Sequence, residues 1–412
     1  MTATTTNAGR RVGMMQGISL LMPITLSVMA ALFVAPVAPK IAEQFIGHDP
    51  SKAASVGPMI DLIITVPSLC VAIFSPFAGA LGDRFGRRRL LIWSMAVYSL
   101  FGCMPYFLND LTLILASRVV VGIVEAMLMT LSTTLIGDYF KDQSRNRWLA
   151  AQTGVASTSA IVVLIVAGAV GQRDWHNVFL LYLLPLVYLI LVVVFTWEPE
   201  ESEHLADSGA KAGWSALPWK TLGVICLITL LGSVMFYTVQ IKLPNALNDL
   251  GVTLPGGGYD AARGSRYTAL ASLFVPVGTV CFWWLSPRST IRTQLLIEFG
   301  LMATGFLLMA RLTNPLHFAA AAGINQIGAG MLLPTLLTWA VSRLPFEVRG
   351  RGTGVWNSTF ALGAFVCNNA AIPLIMGFTG AIIPTVGVLG WICLGAALTA
   401  LAFRLAGRPQ TA

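Results

Sequence analysis

Long apolar runs separated by short polar stretches recur from one end of the chain to the other. A helix rises about 1.5 Å per residue, so roughly 20 apolar residues cross a bilayer. The pattern predicts twelve such spans, at about 14–37, 55–80, 90–108, 111–139, 148–171, 176–197, 221–243, 267–286, 294–310, 316–342, 352–376 and 382–404. The longest polar interruption is Glu198–Lys220, opening on Glu198, Glu200, Glu201, Glu203 and Asp207, and it reads as a solvated linker. It divides the chain into a six-span half over 1–197, a linker over 198–220 and a second six-span half over 221–412. The expected fold class is an all-α integral membrane protein with both ends of the chain on one side.

Composition sharpens this. Apolar residues are 56% of the chain and charged residues 11%, against about 25% charged in soluble domains. A net charge of +8 could suggest nucleic acid, but the positions of the basic residues argue otherwise. Most of the 26 Lys and Arg residues fall on the side that carries Gly79–Leu91. That asymmetry predicts a cytoplasmic location for this side and for both termini. The chain is expected in the cell membrane, the inner membrane of a bacterium, with its basic rim against anionic lipid. The six cysteines all lie within apolar spans, without C-x-x-C pairs, and read as packing residues.

The densest charge sits in Gly79–Leu91, GALGDRFGRRRLL, wedged between two spans. Hydrocarbon does not accept Asp83 and four arginines together, so the stretch is a tight aqueous hairpin. Its glycines, Gly79, Gly82 and Gly86, allow the two helix ends to approach and turn. Asp83 is suited to accept hydrogen bonds from free N–H groups at a neighbouring helix N-terminus. The stretch fits G-x-L-x-D-R-x-G-R-[RK]-x-x-L, and so resembles the loop 2–3 signature of the major facilitator superfamily. The fourth span carries Arg118-Val119-Val120-Val121-Gly122, similar to a second signature of that family, R-x-x-x-G, and ends in Gly137-Asp138-Tyr139-Phe140.

The resemblance implies a twelve-helix transporter in two halves, working by alternating access. It also implies a conformational latch of Gly79, Asp83, Arg84, Gly86, Arg87, Arg88 and Asp138, in which Asp138 pairs with Arg87 and Asp83 caps the eleventh helix near Gly352. A weak internal repeat agrees with two halves: Arg145-Asn146-Arg147 opens the fifth span and Arg349-Gly350-Arg351 the eleventh. The loop after the eighth span, Ser286–Arg292, keeps two arginines but has Pro287 where the aspartate belongs. The fifth span departs from the G-x-x-x-G-P pattern of the family's proton antiporters: it has Gly154, Gly168 and Gly171 but no proline. Proton-coupled uptake therefore stands beside efflux.

Polar residues inside the spans are few, and they usually face protein or a water-filled cavity. Two acids lie deep in the first half, Asp61 and Glu125, and the fourth span also carries Arg118. A mid-span carboxylate costs about 2.5–3.5 kcal/mol on insertion scales, so it needs a partner or a proton. Arg118 and Glu125 are seven residues apart, about two turns and 10.5 Å along one helix face, which is long for a direct ion pair. These three are the candidates for proton coupling. Family resemblance puts the first, fourth, seventh and tenth spans around the cavity, so Thr25, Met29, Met129, Tyr237, Gln240, Asn325 and Gln326 are candidate lining residues, with Asn368 and Asn369 of the eleventh span. For the amides, an interhelical hydrogen bond is an equally available role.

The chain lacks a G-x-x-x-x-G-K-[ST] phosphate cradle, H-E-x-x-H and G-x-S-x-G, so neither a nucleotide engine nor an intramembrane hydrolase is expected. No cofactor or metal is expected. The expectation is a monomeric secondary transporter, not an enzyme, that moves a small and fairly hydrophobic organic molecule with protons. Efflux of drugs or metabolites comes first and metabolite uptake second. A transporter-like sensor or lipid translocase is the more distant alternative.

Overall fold

The computed structural model describes residues 4–5, 11–47, 49–140, 142–198, 215, 217–344 and 349–406. Twelve helical spans follow one another. The first, α1, is broken into Met14–Leu21 and Ile24–Leu32, and α2 is Ala53–Phe85, α3 Arg87–Cys103, α4 Leu111–Tyr139 and α5 Asp142–Val170. A 3-10 stretch, Trp175–Leu183, leads into α6, Leu184–Phe195. In the second half α7 is Trp219–Asp249, α8 runs as Ala261–Ser272 and Phe274–Leu285, α9 is Ile291–Met309 and α10 Pro315–Arg343. The eleventh span, α11, is Arg349–Val366, a π-helical turn at Cys367–Ala371 and Ile372–Thr379; α12 is Ile382–Ala406. Ten of these are long and apolar enough to cross a membrane, and shorter apolar runs at Met14–Ser27 and Gly154–Val170 complete the set.

The breaks have local causes. Proline 23 has no N–H to continue the ladder of α1, and the Thr25 hydroxyl donates to the Met22 carbonyl at 2.9 Å. Past Leu32 the chain tightens into a 3-10 turn, Ala35–Val37, and then a short helix, Ala38–Ile46, which ends at Gly47 with φ +57°. Pro334 in α10 leaves the carbonyl of Gly330 without its usual donor, and Thr279 of α8 supplies one at 3.2 Å. In the eleventh span Pro373 cannot donate to residue 369, which favours the wide π turn just before it.

Small residues let the helices meet. A Cβ on Gly122 of α4 would collide with the backbone of Pro67 and with Cys70 on α2. A Cβ on Gly330 of α10 would collide with the Val275 backbone on α8. Both are close approaches of the kind that small residues permit in membranes, where apolar burial no longer drives association. Within the halves α2 packs on α4, and α9 on α10 and α12; between them α2 faces α11 and α5 faces α8. The lipid-facing rim is apolar, with Trp93, Trp283, Trp284, Phe378 and Trp391 exposed.

Overpacking a tight contact typically costs about 1–3 kcal/mol. Gly122→Leu is therefore expected to lower the melting temperature of the detergent-solubilised protein. Gly300→Ala on α9, where a Cβ would meet nothing within 4 Å, is expected to leave it unchanged or slightly raised.

Candidate functional site

Polar groups concentrate on the helices that face the boundary between the halves. On α4, Arg118 is fully buried (0% exposed) and Glu125 nearly so (5%). They form no ion pair with each other: among the described residues the pairs within 4 Å are Arg87–Asp138, His176–Asp174 and Lys242–Asp61. The Arg118 Nη2 donates to the Tyr182 hydroxyl at 2.5 Å and, at 3.4 Å, to the Ala30 carbonyl. Its guanidinium also lies over the Tyr182 ring, 4.8 Å from the centroid. Tyr98 packs against Tyr182 and donates to the Leu26 carbonyl, which ties this aromatic cluster to α1.

Three polar atoms on α4 remain without a partner: Nε and Nη1 of Arg118 and Oε2 of Glu125. Glu125 lies within electrostatic reach of Cys70 on α2, Tyr98 on α3 and, in the other half, Tyr237 on α7. Tyr237 belongs to an aromatic group with Phe236, Phe360 and Trp356; its ring is 5.4 Å from that of Phe360. Buried polar atoms are rarely left unpaired, so α4 carries an unfilled hydrogen-bonding capacity.

The amides of the second half are arranged differently. Gln240 donates to Gln326 at 2.8 Å, Gln326 to Asn325 at 3.1 Å, and Asn325 to the Met302 carbonyl at 3.2 Å; Ser272 donates to Gln240. These amides knit α7, α8, α9 and α10 together. In the first half Thr25 donates to Tyr188 of α6 at 3.2 Å, Met29 is buried and Met129 half-buried.

Among the described residues, the hydrogen bonds that cross between the halves lie toward the end that carries Lys40. There Lys242 of α7 meets Asp61 of α2, Nζ to Oδ1 at 2.8 Å. Asn368 donates to the Asp61 carbonyl at 2.9 Å and Asn369 to the Thr65 hydroxyl at 2.6 Å. Gln172, just past α5, accepts from the Ala262 N–H at 2.7 Å at the start of α8, while its own carbonyl accepts from Lys40. Burial pushes the Lys40 ammonium below its usual range, against the opposing pull of Glu43, Asp260 and Asp174. A cavity of about 550 Å³ opens over this end, between Lys40, Glu43, His176 and Tyr259. At the other end, among the described residues, α2 packs against Arg349–Val366 of α11, while α4 and α10 do not pack closely on each other.

At that other end Arg87 donates to both carboxylate oxygens of Asp138, each at 2.7 Å. The backbone of Asp83 lies in the last turn of α2. Its side chain, and those of Arg349, Gly350 and Arg351, lie outside the described residues, and so does the expected cap near Gly352. Gly86 turns the chain at φ +88°, a conformation open to glycine. Glu198 then caps α3, accepting from the N–H groups of Arg88 and Arg89 at 3.1 and 3.2 Å. Arg88 reaches back to Thr196 and the Val193 carbonyl. Of the expected linker, Glu198 is thus a tie to loop 2–3; most of the remainder lies outside the described residues.

Two charged residues escape the sequence reading as site members. Lys242 stands near the end of an apolar span and its partner is 181 positions away. Glu298 of α9 is fully buried, accepts from the Thr335 hydroxyl at 2.5 Å and has an unpartnered Oε2. A lone carboxylate in an apolar run was the available signal for it. Among the described residues no group of His, Cys, Asp and Glu is placed to hold a metal.

The chain matches the sequence model of the Major Facilitator Superfamily over residues 20–368. It is 25% identical to the multidrug efflux pump LfrA of Mycolicibacterium smegmatis, over 84% of this chain and 78% of the pump. It is 23% identical to the sialic acid transporter NanX of Escherichia coli, over 73% of this chain and 74% of NanX. Among solved structures, the D-xylose–proton symporter superposes with a TM-score of 0.75 at 14% identity, covering 94% of this chain and 96% of the symporter.

Removing a capping side chain costs about 0.5–2 kcal/mol, and the exposed setting of Glu198 places it low in that range. Glu198→Ala is expected to lower the thermal midpoint modestly and to speed proteolytic nicking between Phe85 and Arg89. Unchanged nicking would mean that the cap does not hold the turn.

Proposed function

The chain belongs to the major facilitator superfamily, and we propose that it is a proton-coupled secondary transporter that exports a small, fairly hydrophobic organic molecule by alternating access. The observation that carries this reading is Glu125: a buried mid-span carboxylate with an unpartnered oxygen. It stands on a helix that faces the other half and within electrostatic reach of Tyr237. A carboxylate so placed is stabilised when it takes a proton and becomes available again when water or cargo reaches it. Arg118, held by Tyr182 and lacking partners for Nε and Nη1, supplies positive charge two turns away, so the two sense each other without neutralising each other. Tyr237, Phe236, Phe360 and Trp356 offer aromatic surface to an apolar cargo.

Loop 2–3 acts as the latch at the Arg87 end. The Arg87–Asp138 pair fixes that loop to α4, and Asp83 caps α11 when this end closes. The basic residues around that end support a cytoplasmic location for it. The chain works as a monomer in the cell membrane, with its basic loops against anionic headgroups. Uptake by proton symport is the second reading; it is favoured by the absence of proline from the glycine-bearing fifth span.

Glu125→Gln keeps the shape and hydrogen bonding of the side chain and removes titration. In proteoliposomes that variant is expected to exchange cargo at near wild-type rates and to lose accumulation driven by a pH gradient by tenfold or more. Full pH-driven accumulation in Glu125→Gln would move the coupling site elsewhere.

A further inference from the structure

The ion pair between Asp61 and Lys242 joins the two halves inside the membrane, and its surroundings are unusual. Lys242 is 8% exposed and Asp61 21%, measured on the side chains. The pair belongs to α2 and α7, which must separate at the Lys40 end if that end is to open. The π turn of α11 stands directly opposite. Successive residues of an α-helix point about 100° apart, but the wider π turn lets Asn368 and Asn369 both reach α2, one to the Asp61 carbonyl and one to Thr65. Single π turns inside α-helices recur at functional sites.

Two capacities in this cluster are unused. Lys242 has three N–H donors, and one of them is taken, by Asp61. The Oδ1 of Asn368 is buried and accepts no hydrogen bond, although its Nδ2 is anchored beside Asp61. The Asn368 side chain also hydrogen-bonds the Asp61 carboxylate, which ties the cluster together. An ammonium released by Asp61 would need another anion, because parting a buried pair leaves an uncompensated charge at high cost. Cys367 on α11 is also within electrostatic reach of Asp61; of the helices packed on α2, the short one carries Lys40 and Glu43 and α4 carries Glu125. Lys40 is engaged with Gln172, and Glu43 lies against Gly258.

We propose that the Asp61–Lys242–Asn368 cluster is an exchange site for a carboxylate cargo: the carboxylate of the transported molecule displaces Asp61 from Lys242 as Asp61 takes up a proton, and the displacement unlocks the Lys40 end. The exchange balances. One O–H bond forms on Asp61 from an incoming proton, one ion pair is replaced by another, and the site's net charge is the same before and after. This inference rests on the reading of the chain as a proton-coupled transporter in its second form, uptake by symport, because cargo and proton bind together; it gives that transporter a cargo class, small organic monocarboxylates.

The test uses the full-length protein in proteoliposomes, with benzoate as a carboxylate probe and ethidium as a cationic one. A labelling readout needs no cargo: a cysteine at Ser68, buried on α2 and two turns below Asp61 on the same face, in a cysteine-free background. Asp61→Asn mimics the protonated acid. It is expected to bind benzoate several-fold more tightly, because the competitor for Lys242 is gone, and to label faster at Ser68→Cys from the Lys40 side. Lys242→Gln is expected to reduce benzoate binding and uptake at least tenfold while also labelling faster; Lys242→Arg is expected to restore benzoate uptake to near wild type. Benzoate handling that survives Lys242→Gln, or labelling unchanged in both variants, overturns the exchange site. Absence of benzoate binding, with ethidium carried in a Glu125-dependent manner, also overturns it and leaves the general transport reading intact. Neither probe moving in any pH gradient would instead count against the transport reading itself.

Discussion

Hydrocarbon does not tolerate a charge without a partner, a proton or water, and the organisation of this protein follows from that constraint. At the Arg87 end charge is placed in water and tied by Asp138 and by the Glu198 cap. Deeper in, Lys242 meets Asp61 across the halves, and Arg118 is wrapped by Tyr182 and Tyr98. Each solution joins different elements: α3 to α4, α2 to α7, and α4 to the 3-10 stretch before α6. Charge placement therefore also fixes which helices move together. Glu125 is a buried mid-span carboxylate of the first half that these pairings leave unmatched, and this singles it out for proton exchange.

Glycines bring α2 against α4 and α8 against α10 within each half, where packing is tight and a rigid body is needed. Between the halves α2 packs along α11 and α5 along α8, and among the described residues the hydrogen bonds that cross lie toward the Lys40 end. The arrangement suits two rigid bundles that rock about a central site. Prolines at α1, α10 and the eleventh span add local breaks, and at α10 the freed carbonyl of Gly330 is re-satisfied by Thr279.

Much of this was legible in the chain. The alternation of long apolar runs and short basic loops gives the twelve spans and the division into halves, and the residues of Gly79–Leu91 carry the family resemblance. What stayed hidden depends on contacts between distant positions. Nothing near Lys242 announces Asp61, and nothing near Glu198 announces the N-terminus of α3, because each pairing exists only once the helices are bundled. The break at Pro23 lies inside a run whose hydropathy continues through it, so the first span reads as one helix. The amides are a further lesson in pattern against place. Gln240, Gln326 and Asn325 stand on cavity helices by count, yet their side chains donate to one another or to the Met302 carbonyl. Glu298 stands alone in an apolar run, but its partner, Thr335, is on the next helix.

The central claim is that Glu125 exchanges a proton inside the membrane. Infrared difference spectroscopy between acidic and alkaline pH, on the reconstituted protein and on Glu125→Gln, tests it without knowledge of the cargo. The account predicts a protonated-carboxyl band that changes with pH in the native protein and is missing from the variant. Identical difference spectra for the two proteins would contradict it.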